Sequence, residues 1–190
     1  LPDAVQVFTE QLEGLTLADF FEISNRLLTM RSPEMVVTMG LTDYYGVEEV
    51  RLDDISESYQ QETYQLLQVV LDKLETYDRE LLSPSEIISY DVYRWYLKDT
   101  LAGGDFLYYD YPATYYPITA VHEDTLQFFT DIHPIRHVQD ARDYVTRLGM
   151  VDEKIEQLID NLEAHAEAGI TPPQFAIDWA VYGRLGQFVR

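Results

Sequence analysis

Few residues in this chain combine the chemistry and the spacing needed to act on a substrate. His122-Glu123 has the form of the first half of a zinc-binding His-Glu-x-x-His turn. That turn needs two imidazoles one helical turn apart, with a glutamate between them to activate a metal-bound water. Position 126 is leucine, so the second ligand is missing and the pair reads as a helix start beside acids. His133 and His137 have the i, i+4 spacing that chelates a metal on a helix, but Pro134 puts His133 at or before a helix start. No carboxylate falls at the pitch that would finish a site, so His133 reads as a cap and His137 as partly exposed. The pairs Asp53/Asp54, Glu123/Asp124 and Asp105/Asp110 are no more than chance supplies among 34 acidic residues. None has the glycine-anchored pattern of a calcium loop. The sequence also carries no nucleophile elbow, phosphate loop or dinucleotide fingerprint.

The best local candidate is aromatic. Residues 105–121 hold Tyr108, Tyr109, Tyr111, Tyr115 and Tyr116 together with Pro112 and Pro117, and the two prolines forbid a continuous helix. A long irregular loop of this kind either lines a cleft, binding substrate by stacking and phenol hydrogen bonds, or plugs a gap between helices. On the first alternative the substrate-binding residues are Tyr109, Tyr111, Tyr115, Tyr116 and His133. No catalytic residue, metal ligand or cofactor is assigned to this chain.

The elements that must position these residues read as helices. Thr16-Leu17-Ala18-Asp19 opens an amphipathic helix through Phe20, Phe21, Ile23, Leu27 and Leu28, ending near Arg31. Ser32-Pro33-Glu34 restarts a short helix that Gly40 closes, and residues 41–55 read as a connecting loop. Ser56 or Ser58 opens the longest helix, with Leu67, Val70, Leu71, Leu74 and Tyr77 on its apolar face. Ser83-Pro84-Ser85-Glu86 is the cleanest start signal, a capping box with proline at the first helical position. The helix it launches is apolar on nearly every side, which predicts burial, and Gly103-Gly104 ends it. Val138, Ala141, Val145 and Leu148 space as one apolar seam, and Val151, Ile155, Leu158, Leu162 and Ala166 as another. Thr171-Pro172-Pro173-Gln174 caps a last helix bearing Phe175, Trp179, Tyr182 and Leu185. That stripe predicts packing on further chain, or self-association through residues 172–190. The expected fold is all-α, an irregular multi-helix bundle with one long aromatic loop, in a single domain over residues 1–190.

Composition narrows the function classes. With 34 acids against 13 bases the formal charge is −21, a field that repels nucleic acid and anionic lipid. A basic peptide or protein partner is compatible with it. The chain has 15 tyrosines, only three lysines (Lys73, Lys98 and Lys154) and no cysteine, so disulfides, thiolate metal sites and a cysteine nucleophile are excluded together. No apolar run approaches the ~20 residues of a membrane span.

Several segments, taken in order, resemble a known family. They are Ser32-Pro33-Glu34 with Gly40-Leu41, Leu52-Asp53-Asp54, Tyr90-Asp91-Val92-Tyr93, Tyr109-Asp110-Tyr111-Pro112 and Phe128-Phe129-Thr130-Asp131-Ile132-His133-Pro134. The run from Asp140 to Leu148 and Ala168-Gly169-Ile170-Thr171-Pro172-Pro173 continue the series. Together they resemble the earlier half of the bacterial domain-of-unknown-function 885 family. The resemblance implies a long, mostly helical protein similar to zinc-dependent peptidases, often exported or lipid-anchored, whose His-Glu metal motif lies in the later half. No catalytic or metal residue of the family therefore maps onto a position here. The expected function is a non-catalytic N-terminal helical region that supplies one wall of a substrate cleft. Zinc and the catalytic groups would then belong to a remaining C-terminal half of the parent chain, and the substrate would be a peptide. The alternative is a stand-alone acidic helical module for a basic partner.

Overall fold

Side-chain caps fix where several of the helices begin. In the computed structural model, which describes residues 3–109 and 120–178, Asp3 Oδ1 accepts the Val5 N–H at 2.9 Å and opens α1 (Ala4–Leu12). Thr16 Oγ1 accepts from the Asp19 N–H and opens α2 (Leu17–Thr29). The capping box forms in full at Ser83, whose N–H donates to Glu86 Oε2 at 2.8 Å while its hydroxyl accepts from the Glu86 N–H. It opens α6 (Pro84–Ala102), which is one residue longer than α5 (Glu57–Leu74). Between α2 and α5 in the order are α3 (Pro33–Thr38) and α4 (Thr42–Tyr45), closed by Gly40 and Gly46 at φ 67° and 62°, a left-handed turn that glycine makes without strain. After α6 come α7 (Val121–Gln127), α8 (Val138–Leu148), α9 (Val151–Glu167) and α10 (Gln174–Asp178). No strand occurs among the described residues, so the chain is an all-α, multi-helix protein. None of the described helices is long and apolar enough to cross a membrane.

Two local expectations change. The segment 41–55 is not all loop, because α4 forms within it. The irregular segment expected from residue 105 begins instead as a 3₁₀ turn over Gly103–Tyr109. Residues 110–119, including Tyr111, Tyr115 and Tyr116, lie outside the described residues. So do Trp179, Tyr182 and Leu185 of the last helical stripe.

The chain divides into two compact units. The first joins Leu1–Ser32 to Glu57–Phe106. Here α5 is the centre, and α1, α2 and α6 pack on it. Phe8, Leu12, Phe20, Leu66, Val70, Leu71, Leu74 and Leu97 form a continuous apolar interior. Phe20 is fully buried, with the rings of Phe21, Tyr77 and Tyr93 at centroid distances of 6.0, 5.5 and 6.2 Å. The half-buried tyrosines spend their polar tips locally. Tyr93 hydroxyl meets Ser24 Oγ at 3.1 Å, and Tyr77 hydroxyl donates to the Leu15 carbonyl at 2.9 Å.

The burial expected for α6 is corrected. Tyr90 and Leu97 are buried and Tyr93 and Leu101 half-buried, but Ile88, Val92, Trp95 and Tyr96 lie at the surface, 50–67% exposed. A helix resting on α5 covers only one side of itself, and the described residues of its own unit leave the opposite side open.

The second unit joins Pro33–Ser56 to Leu107–Arg190. Among the described residues its apolar cluster is small: Leu52, Phe128 and Phe129 are buried, with Val37, Ile132, Tyr144, Met150 and Val151 against them. A single π-helical turn, Phe128–Ile132, extends α7 and ends with the His133 N–H donating to the Phe128 carbonyl at 2.8 Å. The seam expected on α8 is also corrected. Val138, Val145 and Leu148 are exposed, whereas Arg147 is buried with Ala141 and Tyr144 half-buried. The inward face is set by what Arg147 and Tyr144 find inside, not by the aliphatic residues. On α9, Leu158 is buried as expected, but Lys154 and His165 share the buried side and Ala166 does not.

Candidate functional site

The concentration of buried polar chemistry lies in the second unit, around residues 47–56, a segment without regular secondary structure. Its backbone groups must still be satisfied, and side chains do it. The Ile55 N–H donates to Gln157 Oε1 at 2.9 Å, and Asn161 Nδ2 donates to the Ile55 carbonyl at 2.8 Å, so two residues of α9 hold both main-chain polar groups of one residue. Asp53 and Glu34 are reciprocal: the Asp53 N–H donates to Glu34 Oε1 at 3.0 Å, and the Glu34 N–H donates to Asp53 Oδ1 at 2.8 Å. This is a capping box assembled from two separate segments at the start of α3.

Glu34 also meets Lys154, whose Nζ donates to the same Oε1. Both partners are largely removed from solvent, with side chains 13% and 6% exposed. A pair of this kind stabilises only when both ends stay present, because either charge alone is stranded. Asp124, in the first turn of α7, is held above the usual carboxylate range, first by burial and then by neighbouring Glu123, against the pull of Lys154.

Arg147 is the second anchor. Its Nε donates to the Arg51 carbonyl at 2.9 Å and its Nη1 lies 2.7 Å from His133 Nε2. Guanidinium only donates, so Nε2 must accept, and the proton of neutral His133 resides on Nδ1, 2.9 Å from the Pro134 carbonyl. The tautomer follows from the partners. The imidazole is flanked edge-on by Phe128 and Tyr144, at 5.5 and 5.3 Å between centroids, and burial pushes its pKa down. Burial likewise lowers the Arg147 guanidinium, with Asp143 and Glu34 opposing.

Among the residues expected to bind substrate, Tyr109 is at the surface at the end of the 3₁₀ turn, and Tyr111, Tyr115 and Tyr116 lie outside the described residues. His133 is interior, with both ring nitrogens engaged. It does not cap a following helix; His137 occupies that position, exposed, with its ring 3.2 Å from Asp140. His133 and His137 thus stand on different elements and point to different surroundings. His122 is the second residue of α7, beside Glu123 and Asp124. Among the described residues, no group of three or more His, Cys, Asp or Glu is placed to hold a metal ion. The arrangement holds backbone in place: Glu34, Asp53, Arg147, Gln157 and Asn161 each bond a main-chain group.

Sequence reading missed Glu34, Asp53, Arg147 and Lys154 as a connected set. One signal was present: Lys154 is one of three lysines and precedes Leu158 by one helical turn, on the stripe of α9 that is buried.

No curated protein and no solved structure matches this chain. The family described as "Bacterial protein of unknown function (DUF885)" matches residues 33–188, from the first residue of α3 onward. The match covers both segments of the second unit that carry the buried anchors, together with α5 and α6 of the first. The chain therefore belongs to the DUF885 family of bacterial proteins.

Proposed function

We propose that this chain is a non-catalytic helical region of a metal-dependent, peptidase-like hydrolase. It forms one wall of the substrate cleft, and the metal and catalytic groups come from a C-terminal half of a longer parent chain. The observation that carries this reading is the outer face of α6, where Ile88, Val92, Trp95 and Tyr96 are exposed on one side of a single helix. Burying side chains of this size stabilises by about 1.5–3 kcal/mol each, and contiguous apolar surface of this kind is where further protein docks. The buried polar groups of the second unit support a scaffolding role, since they are engaged with backbone and with one another. Tyr109, Tyr111, Tyr115 and Tyr116 are the residues proposed to meet a peptide.

The test is direct. Purified protein of residues 1–190 is incubated with zinc, dialysed and assayed for bound metal and for peptide hydrolysis. The expected result is far less than one equivalent of zinc and no turnover. One tightly held equivalent accompanied by hydrolysis overturns the reading.

A second reading, an acidic module for a basic partner, is favoured by the formal charge of −21. The cations around α6 are already committed: Arg79 grips Asp91 through two bonds of 2.8 and 2.6 Å, and Arg94 and Lys98 both bind Glu75. Salt-sensitive binding of a basic amphipathic peptide, lost in Trp95→Glu, supports it. Failure to bind such a peptide at low ionic strength removes it.

A further inference from the structure

We propose that His133 is an acid-operated latch: proton uptake by its imidazole releases Arg147 and frees the segment 47–56 from one of its anchors. The inference rests on the second unit alone and does not depend on the cleft-wall reading.

The geometry leaves a second proton nowhere to go. Nδ1–H already donates to the Pro134 carbonyl, and the only open position, Nε2, faces the Arg147 guanidinium at 2.7 Å. A proton taken from solvent onto Nε2 turns an acceptor into a donor pointing at a donor, and sets one cation against another where little water screens them. The groups around the ring do not relieve this. Phe128 and Tyr144 present ring edges. Asp140 and Asp143 on α8 favour the charged form, but Asp140 already accepts from the Arg136 and His137 N–H groups and lies beside the His137 ring. Glu34, on α3, acts on Arg147 and is itself bound by Lys154 and the Asp53 N–H. His133 is held by its bond to the Pro134 carbonyl and by the flanking rings, so the repulsion is relieved by Arg147 turning away. When it turns away, the Arg51 carbonyl loses the Nε donor that holds it at 2.9 Å.

The sign follows from linkage. The imidazole is held below its ordinary pKa, so the unlatched segment binds more protons than the latched one as pH falls below that ordinary value. Latching is complete above neutrality and weakens on acidification. Each unit of pKa depression corresponds to about a tenfold change in the latching equilibrium. The anchors from Glu34, Gln157 and Asn161 carry no histidine, so release at Arg51 loosens the segment without unfolding the unit.

Two readings on the intact chain test this. In the first, the four imidazoles are followed by NMR from pH 8 to 4.5. His133 is expected to titrate below the ordinary histidine range with its neutral proton on Nδ1; titration at or above that range, or a proton on Nε2, overturns the latch. In the second, hydrogen exchange of the Asp53 and Ile55 amides is measured at pH 7.5 and 5.5 and corrected for intrinsic rates. Both are expected to lose about tenfold protection at the lower pH, while Leu66–Leu74 do not change. His133→Gln, which can still accept from Arg147 without titrating, is expected to abolish the loss. Persistence of the loss in His133→Gln, or its absence in the natural sequence, overturns the proposal. If His133→Gln folds poorly, Arg147→Met serves instead, since removal of the opposing cation must move the His133 titration upward; an unmoved titration contradicts it.

Discussion

The two units of this chain keep their shape by different means. In the first, Phe20, Leu66, Val70, Leu74 and Leu97 are closed off from solvent, and the polar tips of Tyr77 and Tyr93 are spent at the margin of that interior. In the second, the apolar cluster of Leu52, Phe128 and Phe129 shares the described interior with buried His133, Arg147 and Lys154, and the segment 47–56 is held by side chains reaching from α3, α8 and α9. An apolar interior is tolerant, because burial has no direction. Directional anchors specify one backbone path and fail individually, because each lost partner strands the group it served. The second unit is therefore the one that can be loosened locally, by pH or by a single substitution.

The comparison can be broken first in the apolar unit. Phe20→Ala opens a cavity among Phe21, Tyr77 and Tyr93 and is expected to cost about 3–5 kcal/mol in urea unfolding followed by circular dichroism. A cost under about 1 kcal/mol is incompatible with a packed interior there.

In the second unit, Lys154→Met strands the Glu34 carboxylate and is expected to cost about 3 kcal/mol. Adding Glu34→Gln should restore more than half of that, because glutamine still accepts from the Asp53 N–H without carrying charge. If the two substitutions add, the pair is not coupled and the distinction between the units weakens.

One directional anchor in the first unit sharpens the contrast. Arg31 donates to the Tyr59 carbonyl, to Thr63 Oγ1 and to Glu62, and its guanidinium lies 3.5 Å from the Tyr59 ring centre. Arg31→Lys keeps the charge but not the fork, and is expected to cost about 1–2 kcal/mol. Ser83→Ala, which removes the α6 cap, should cost about 1 kcal/mol by the same unfolding assay.

The smallest effect concerns Asp124. Its folded carboxyl binds protons more tightly than an unfolded one, chiefly through burial, so stability falls as pH rises from the ordinary carboxylate range through the raised one. Asp124→Asn is expected to flatten that part of the pH profile. A steeper profile in the variant would place the raised carboxyl elsewhere.

How much of this was legible in the sequence depended on the range of each interaction. The caps at Thr16 and Ser83 are local, and both helices begin where those residues indicate. The ordered series from Ser32-Pro33-Glu34 to Thr171-Pro172-Pro173 is also written in contiguous segments, so the family was readable and the match over residues 33–188 bears it out. The inward face of α8 was not readable. Its apolar spacing chose Val138, Val145 and Leu148, whereas Arg147 is drawn inward by a carbonyl 96 residues away. Lys154 is set by Glu34 across 120 residues, and no periodicity within α9 encodes that partner. The outer face of α6 escaped for the opposite reason, since composition gives how apolar a helix is but not how many of its sides find a neighbour. Of the candidate site, Tyr109 and His133 were named from residue type alone, and the roles of the His133 nitrogens required the positions of Arg147 and Pro134.

The most direct measurement is residue-resolved native-state hydrogen exchange of the natural sequence beside Arg147→Met at neutral pH. Methionine fills much of the stem volume of Arg147 and removes both donors. Protection is expected to fall at Asp53 and Ile55, the amides bonded to Glu34 and Gln157, while Leu66, Val70 and Leu74 in α5 exchange as before. Equal losses in both sets of amides, or none in either, would contradict a second unit held by directional anchors and a first held by its apolar interior.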